Sequence, residues 1–421
     1  MTTWSEFKKT KQYPKLDKNI KADVAIIGGG ITGILSAYQL ALAGKKVALI
    51  EKNTIASGAT MATTAFITKV IDSYLAEVSS LFGKKAASQV WASGQKAIEE
   101  FEKIIKKENI ECEFIRCDNY IFAGTKKQRE ELSREFKEYK RFQIEASWSN
   151  EAGFLGFPNH GYMTIPKQAK FHVTKFGFNL AECARRLGVS IFEHTEGLNI
   201  QEEDGYIMIE TAKGKTKRNI RAKDVIISTY QPLINKKTHL KKAKYISYVF
   251  EVEVPKNLFR EGLYEDTENP YHYFRIDKGE DKHAKYDRMI LGGEDHKDMF
   301  GKTLTKKSFE GLERFLKKIM RRHPYKIKKR WYGPILEPSD GLPLIGEIKP
   351  HVYVATGFSG NGMTYSMISS LLLRDLILNK KNPWTEAYTP ERGLFHPKRL
   401  AVKAKDYIEE FFGGAIKNIS S

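Results

Sequence analysis

Three glycines and one acid near the amino terminus have types and spacing suited to binding a phosphate-rich ligand. Gly28, Gly30 and Gly33 form the pattern GxGxxG, and Glu51 follows eighteen residues after the last of them. The first glycine of such a pattern permits a sharp turn, the second lets a pyrophosphate approach the backbone, and the third lets a helix pack closely on a strand. An acid placed like Glu51 accepts hydrogen bonds from ribose hydroxyls. The combination predicts a dinucleotide site.

The elements around this motif are those that a dinucleotide site needs. The apolar run 23–27 (DVAII) predicts a buried strand, residues 31–43 have apolar side chains at helical spacing, and KKVALIEK begins a second strand. The amino terminus of the helix supplies unpaired N–H groups and partial positive charge. A membrane span over the uncharged residues 24–44 is the alternative, but its three consecutive glycines weaken a continuous helix.

A second glycine-rich turn occurs more than three hundred residues later. The strand VYVAT (352–356) meets the turn 357–362, and an amphipathic helix is predicted from near Met363 and Thr364. A flavin explains a second helix amino terminus, because its N1 and O2 edge becomes negative on reduction and a helix dipole stabilises that charge. The small and hydroxyl residues of 53–69 suit an extended segment along such a ligand, although an ordinary polar loop is the alternative for them.

Together these segments resemble the FAD-dependent oxidoreductases of the D-amino acid oxidase and glycine oxidase superfamily. The resemblance is carried by GGGITG, SGATMATTA, MILGGEDHK, DGLPLIG and ATGFSGNGMT, and it covers most of the chain. Within the superfamily, the chain is most similar to a bacterial subgroup that carries a carboxyl-terminal Rieske iron-sulfur domain. No cysteine-histidine cluster follows residue 396, so we expect that domain to be absent from this sequence.

The resemblance implies FAD as the cofactor and assigns residues to each part of it. The ADP half would be held by Gly28, Gly30, Ile31, Thr32, Gly33, Glu51 and Lys52, the pyrophosphate and ribityl region by Thr63 and Thr64, the adenine by the Leu198 backbone, and the isoalloxazine by Gly357, Phe358, Ser359, Gly360, Asn361, Gly362, Met363 and Thr364. The segment ATMATTA has no cysteine or histidine, so we expect FAD to be bound non-covalently.

The fold class expected from these segments is α/β, with a Rossmann-like FAD-binding domain and an interleaved α+β substrate domain built on an antiparallel sheet. Apolar strands of parallel-sheet type alternate along the chain with stretches such as YHYFRID that have antiparallel patterning and aromatic content. The predicted FAD-binding domain comprises 20–85, 150–235 and 330–395, the substrate domain 86–149 and 236–329, and a C-terminal helical tail 396–421.

Substrate-positioning residues are expected where the antiparallel sheet faces the flavin. Strand alternation puts Tyr271, Tyr273 and Arg275 on one face, where the arginine fork could grip a substrate carboxylate beside a tyrosine hydroxyl. In the alternative interpretation, Arg275 pairs with an acid such as Asp277 or Glu294 and the tyrosines belong to the core. Glycine oxidase-like relatives place an arginine shortly before the DGxPxIG segment, whereas this chain has Glu337 there. An amine or polyamine substrate suits that acid better than a carboxylate.

The function implied by the resemblance is oxidation of a small amine or amino acid to an imine by hydride transfer to flavin N5. Two alternatives stay open: a flavoprotein that modifies an aminomethyl group on tRNA, and a non-catalytic electron-relay flavoprotein. The net charge of +19 is the main support for the tRNA alternative, but the lysines are scattered and no nucleic-acid-binding motif accompanies them. We therefore expect no nucleic-acid partner, and oxygen or an acidic redox protein as electron acceptor.

Cysteine content and histidine spacing bear on the compartment of the protein and on whether it binds a metal. Three cysteines and an amino terminus without an apolar signal core predict a cytoplasmic protein without a transmembrane segment. His160, His172, His283 and His296 lack metal-ligand spacing relative to the cysteines, so no metal site is predicted.

Overall fold

The computed structural model describes residues 2–7, 11–151, 153–213, 216–230, 242–279, 284–297 and 305–392. The predicted tail 396–421, the boundary segment 231–235 and most of the basic stretch 236–244 lie outside these residues. The described part of the chain contains two β-sheets, eight α-helices and one 3-10 helix.

The helices are η1 (Thr3–Glu6), α1 (Ile31–Leu42), α2 (Ala59–Ala62), α3 (Leu75–Glu108), α4 (Lys126–Arg141), α5 (Val173–Arg186), α6 (Thr305–Met320), α7 (Gly362–Ile377) and α8 (Thr385–Tyr388). Helix α3 is interrupted at Gly83, whose φ of +85° lies outside the helical region. Helices α1 and α7 begin within one residue of their predicted positions, because glycine-rich turns define both starts.

The strands are β1 (Ile20–Ile27), β2 (Val47–Ile50), β3 (Phe66–Ile67), β4 (Ile115–Phe122), β5 (Ser147–Ser149), β6 (Tyr162–Lys170), β7 (Ser190–Phe192), β8 (Glu196–Glu203), β9 (Tyr206–Lys213), β10 (Thr216–Ile227), β11 (Lys242–Pro255), β12 (Gly262–Asp266), β13 (His272–Asp277), β14 (Tyr286–Lys297), β15 (Lys326–Pro338), β16 (Leu344–Lys349) and β17 (Val352–Thr356). The predicted strand VYVAT is β17 itself.

The first sheet has the order β16-β17-β10-β1-β2-β7, and β8 and β9 extend it from β10. Its central pairs are parallel, namely β1 with β2, β1 with β10, and β10 with β17. Strand β1 is apolar on both faces because both are covered: Val24 and Ile26 face the helices, whereas Ala25 and Ile27 belong to a separate core with β9. This is the Rossmann-like sheet that the sequence predicts.

The second sheet has the order β15-β11-β14-β13-β12-β4-β6-β3, with β5 beside β6, and is mostly antiparallel. One face packs on α6, where Phe250, Phe274, Leu312 and Phe315 share a buried core. Because side chains alternate along β13, Tyr273 and Arg275 lie on the opposite face from Phe274. The α/β fold class is therefore confirmed.

The chain passes between the two sheets several times, as the interleaved prediction requires. Sheet membership differs from the predicted boundaries at three places, the first of which is β3, a strand of the second sheet within the predicted FAD-binding range 20–85. Strand β6 belongs to the second sheet, although 150–235 was assigned to the FAD-binding domain, and β15 continues in the second sheet past residue 330. The long pairings of β6 with β4 and of β15 with β11 are non-local, so the local pattern could not reveal them. The domain boundaries themselves stay a prediction.

Candidate functional site

The first glycine-rich turn joins β1 to α1 with almost no free space. Gly28 has a φ of +110°, and a Cβ added there would lie 2.9 Å from the backbone of Ser228. A Cβ on Gly33 would lie 1.9 Å from the Gly28 carbonyl oxygen. Both positions therefore exclude every other residue type, for the turn and for helix-strand packing respectively.

Gly30 is different, because a Cβ there would meet only the Thr60 hydroxyl oxygen, at 3.2 Å. Among the described residues, the Gly30 N–H has no hydrogen-bond acceptor, whereas the next N–H, of Ile31, donates to Thr60 at 3.0 Å. Glu51 follows β2, and its carboxylate accepts from the Gly29 N–H at 2.8 Å. The turn thus combines an unused backbone donor with an acid at the adjacent strand end.

The second glycine-rich turn (357–362) lies beside the first one. It leads from β17 into α7 and requires left-handed backbone at Gly357 (φ +74°) and Ser359 (φ +48°). The hydroxyl oxygens of Thr32 in α1 and Ser366 in α7 are 2.8 Å apart, although 334 residues separate them in sequence. The two helix amino termini that the sequence analysis assigned to one ligand are neighbours in space.

The remaining predicted cofactor contacts lie around these turns. Leu198 is 44% exposed and interrupts the register of β8 with β9, beside Gly197, which packs on Ile27 and Ile50 at the end of the parallel strands. Lys52 is exposed next to Glu51. Phe358 is half-buried, and Met363 and Thr364 are buried in the first turn of α7. Thr364 donates to the Thr68 carbonyl at 2.7 Å, which ties the segment after Thr63 and Thr64 to this helix.

Arg275 is fully buried and all its donor groups point at protein acceptors. Its Nε and Nη2 donate to Asp277 at 2.9 and 3.0 Å. Its Nη1 donates to the carbonyl oxygens of Thr64, Ala65 and Phe171 at 3.1, 3.1 and 2.9 Å. The predicted carboxylate clamp is thereby corrected in favour of the alternative, an ion pair with Asp277. The local pattern could not decide this, because Asp277 and a substrate carboxylate offer the same chemistry.

Replacing Arg275 with methionine is expected to destabilise the protein rather than to change substrate selectivity. Asp277, whose pKa is lowered well below its usual range by Arg275, Lys170 and Arg288 despite its burial, would lose its bidentate partner. Breaking a buried pair costs about 3 kcal/mol or more in the free energy of unfolding. Chemical denaturation measures this loss, and Arg116→Met is the control, because Arg116 makes a partly exposed ion pair with Glu102 through two donors to the same carboxylate oxygen. An unchanged unfolding midpoint would contradict the assignment.

The two predicted tyrosines stack on each other, and Tyr271 reaches the second turn. Tyr271 and Tyr273 are half-buried with ring centroids 5.4 Å apart. The Tyr271 hydroxyl lies 3.2 Å from where a Cβ on Gly360 would be, and the Tyr273 hydroxyl is 3.0 Å from that of Ser247. The Tyr271 hydroxyl therefore lies between the antiparallel sheet and the second turn, and that of Tyr273 lies over β11.

Three carboxyl groups, which the sequence analysis missed, surround these tyrosines. We call Asp72, Glu265 and Asp295 the acidic cluster. Asp72 accepts from the Gly360 N–H at 2.6 Å, Glu265 accepts from Asn119 at 3.0 Å, and Asp295 is hydrogen-bonded to Ser247 and Tyr271. Asp295 Oδ1 and Asn119 Oδ1 are buried without a hydrogen-bond partner among the described residues.

The acidic cluster brings carboxyl groups close together, and the nearby charge of His272 only partly opposes the rise in the pKa of Asp295. Within the described part of the chain, no lysine or arginine nitrogen lies within 4 Å of its carboxylates. Burial raises the pKa of Glu265 to about 8 and that of Asp295 to about 7, and in both cases the charge of Asp72 adds to the rise. Asp72 is accessible to solvent, yet crowding by protein atoms, together with Glu337, raises its pKa to about 6. Such a site favours a cationic ligand.

The side chain of His272 lies on the face of β13 opposite to that of Tyr273. Its Nδ1 is 2.8 Å from Asp266 and its Nε2 is 3.4 Å from Glu294. Burial opposes the charged form, but these two acids outweigh it and raise the pKa of His272 to about 9. The side-chain ligand atoms of Asp266, Glu268 and His272 lie within 4.8 Å of one another, and the hydrogen bonds of Asp266 account for that grouping.

The basic segment 315–330, one of two stretches considered as a surface for an acidic redox partner, is largely neutralised. Five of its basic residues form ion pairs: Lys317 and Arg330 with Glu313, Lys318 with Glu268, Lys328 with Glu253, and Lys329 with Glu6 and Glu251. This supports the interpretation of that segment as a solvated face.

Comparison with known proteins decides the family. A family model described as FAD dependent oxidoreductase (DAO) matches residues 23–376. The chain belongs to this family. It is therefore an FAD-dependent oxidoreductase, as the glycine motifs and their neighbouring helices predicted. Among the described residues, no helix has the length and apolarity needed to cross a bilayer.

Proteins similar to this oxidoreductase carry names that describe different activities. A putative Rieske 2Fe-2S iron-sulfur protein of Bacillus subtilis is 28% identical over 404 residues, covering 94% of this chain and 76% of that protein. A gamma-glutamylputrescine oxidoreductase of Escherichia coli is 23% identical, covering 87% of this chain and 85% of that protein. The crystal structure of glycine oxidase from Geobacillus kaustophilus has the same fold, with a TM-score of 0.73 and 19% identity, over 89% of this chain and all of that one.

The residues present fit the FAD that the family implies. Gly30 offers its unused N–H next to the first turn. Thr64 is only 8% exposed, and neither its N–H nor its hydroxyl has a hydrogen-bond partner among the residues that the structure describes. Donors that the fold leaves without acceptors are available to a ligand, and a bound pyrophosphate or ribityl chain would satisfy them.

Proposed function

We propose that this oxidoreductase oxidises a small amine that binds as a cation and does not need a carboxylate. The acidic cluster carries the proposal, because three carboxyl groups converge beside the second glycine-rich turn without a described lysine or arginine to neutralise them. The buried ion pair of Arg275 with Asp277 supports it further, since that pair removes the predicted carboxylate anchor. An amino-acid substrate would bring its own negative charge into this negative region.

The residues proposed to hold FAD are those assigned from the sequence, with non-covalent binding. The first turn with Glu51 and Lys52 would hold the ADP half, Leu198 the adenine, Thr63 and Thr64 the pyrophosphate and ribityl region, and residues 357–364 the isoalloxazine. The unused donors of Gly30 and Thr64 support this assignment. When bound, FAD accepts a hydride from the carbon next to the substrate nitrogen.

The protein's own residues would bind the amine and take up its proton. Only a neutral amine donates its electrons, so an ammonium group must first lose a proton to an acceptor. A carboxylate whose pKa lies near neutrality accepts that proton better than an ordinary one. Asp295, with a pKa of about 7 and a buried oxygen that lacks a hydrogen-bond partner among the described residues, is the proposed acceptor. Loss of a hydride from the neighbouring carbon would leave an iminium ion, which water would hydrolyse to a carbonyl compound and, for a primary amine, ammonia.

One relative supports the amine class by its name, because gamma-glutamylputrescine is built from a diamine. The electron acceptor proposed is oxygen or a separate redox protein. Stopped-flow reoxidation of the reduced enzyme at several salt concentrations distinguishes them. Salt slows the reaction with a charged protein partner by screening their encounter, whereas it does not slow the reaction with oxygen.

Anaerobic reduction by matched substrate pairs tests the proposed function. Putrescine and ornithine differ only by the carboxylate on the carbon next to one amino group, and butylamine and norvaline form a second such pair. We expect each amine to bleach the visible flavin band about tenfold faster than its amino-acid partner, the factor that corresponds to 1.4 kcal/mol. Faster reduction by both amino acids would contradict the amine assignment, whereas bleaching by none of the four would leave the catalytic role itself unsupported.

A further inference from the structure

Four consecutive carbonyl groups of the segment Ala62–Ala65 are held by side-chain donors from distant parts of the chain. Trp331 Nε1 donates to the Ala62 oxygen at 2.9 Å, and Trp4 Nε1 donates to the Thr63 oxygen at 2.7 Å. Arg275 Nη1 donates to the Thr64 and Ala65 oxygens, both at 3.1 Å. Every carbonyl of the segment thus points toward β13, β15 or η1.

The three donors are buried and support one another. Trp4 is 0%, Arg275 1% and Trp331 6% exposed. The Arg275 guanidinium lies 5.2 Å from the centroid of the Trp4 ring, and the Trp4 carbonyl accepts from Thr174 at 2.9 Å. Because indole and guanidinium groups are donors only, neither can turn to accept a bond from the segment instead. The direction of the four carbonyls is therefore determined by the surrounding packing.

Because each peptide group is planar, holding a carbonyl oxygen of the segment also fixes the direction of the N–H group that follows it. In a trans peptide the carbonyl oxygen and the following N–H point in opposite directions. Holding the Thr63 oxygen on Trp4 therefore turns the Thr64 N–H away from Trp4. That N–H has no acceptor among the described residues, whereas the Ala65 N–H is satisfied by the Thr63 hydroxyl at 3.0 Å.

We propose that Trp4, Trp331 and Arg275 form a carbonyl brace that aims the Thr64 amide at the phosphate and ribityl part of FAD. The inference rests on the proposed FAD assignment of Thr63 and Thr64. It gives η1 and Trp4, which lie outside the Rossmann-like sheet and its glycine motifs, a role in the cofactor site. The three side chains are positioning residues, since each acts on the cofactor through the segment.

Single-donor deletions test the brace in the full-length protein. Trp4→Phe and Trp331→Phe each remove one N–H and keep an aromatic ring, so the segment loses one restraint at a time. We expect each to raise the FAD dissociation constant of the deflavinated protein about tenfold, measured by flavin fluorescence on reconstitution. The unfolding midpoint of the FAD-free protein should change much less than that of the FAD-loaded protein, which separates positioning from general packing.

Trp148→Phe is the matched control, because Trp148 Nε1 donates to Asn150 in an exposed hydrogen bond away from the segment. Its FAD affinity should equal that of the wild type. Arg275→Lys, which keeps the charge but loses the fork, should weaken FAD binding as well. Wild-type affinity in both tryptophan variants, or equal loss in Trp148→Phe, would overturn the brace.

The brace and the proposed function fail in different ways. If the wild-type protein binds FAD but is reduced by amino acids rather than amines, the substrate proposal fails and the affinity test of the brace still applies. If Thr64→Pro, which deletes the N–H, binds FAD as tightly as the wild type, the brace is overturned even where amine oxidation is established.

Discussion

Replacement of Gly30 by valine is expected to give a folded protein that no longer retains FAD. A Cβ at this position meets only the Thr60 hydroxyl, at 3.2 Å, so the apoprotein can accommodate a side chain with a small adjustment. The two valine methyl groups, however, would cover the unused N–H that we assign to the pyrophosphate. We expect the FAD dissociation constant to rise at least about a hundredfold. Visible absorbance of the purified protein and reconstitution with FAD measure the loss.

Two further variants make this expectation specific. Ala43→Val adds the same kind of side chain at the exposed far end of α1 and should leave the protein yellow. Gly33→Ala should instead prevent folding, because its Cβ would lie 1.9 Å from the Gly28 carbonyl oxygen. A Gly30→Val protein that keeps a full complement of FAD would refute the assignment of this turn to the pyrophosphate.

Replacement of Asp295 by asparagine is expected to lower kcat/KM for putrescine roughly tenfold to hundredfold, since a hydrogen bond to a charged group contributes about 1.5–3 kcal/mol. The wild type should show the same loss with acid. Asp295 and Asp72 have pKa values of about 7 and about 6, so lowering the pH through this range protonates both and removes the attraction for a cation. The pH dependence of kcat/KM measures this, and it should flatten in the variant.

The stability of the FAD-free protein should change in the opposite direction. The folded-state pKa values of Asp295 and Glu265 are raised above their ordinary values, so folding favours their neutral forms. Their contribution to the free energy of unfolding is therefore greatest at low pH and is lost as the pH rises toward about 7 and 8. At pH ~8, Asp295→Asn should raise the free energy of unfolding by on the order of 2 kcal/mol, and with it the unfolding midpoint, while it lowers activity.

Glu145→Gln is the control for both measurements, because Glu145 is an exposed acid that pairs with Lys167 away from the acidic cluster. Neither kcat/KM nor the midpoint should change beyond the small effect of a surface pair. A lower midpoint in Asp295→Asn at alkaline pH would contradict the proposed excess of negative charge, and an unchanged kcat/KM would remove Asp295 from the amine site.

The sequence by itself determined the nucleotide-binding part of this protein. The turn at Gly28, Gly30 and Gly33, helix α1, strand β17 and the start of α7 all follow from local signals, because glycine conformation and apolar periodicity act over a few residues. The alternation of Tyr273 and Arg275 along β13 is equally local. These elements, with the resemblance they carry, sufficed to predict the fold class and the FAD-dependent family.

The tertiary structure alone decided which partners the side chains have. Arg275 and Asp277 are neighbours along β13, but the contact of Arg275 with the segment Ala62–Ala65 exists only because β13 packs against that segment. The acidic cluster joins a loop residue, Asp72, to residues of β12 and β14, and the brace brings Trp4 to Thr63 from the amino terminus. No local pattern marks such residues, because their proximity results from strand order and from contacts between residues far apart in sequence. The proposed preference for a cation, which Glu337 already suggested from the sequence, therefore rests mainly on contacts that only the folded arrangement brings together.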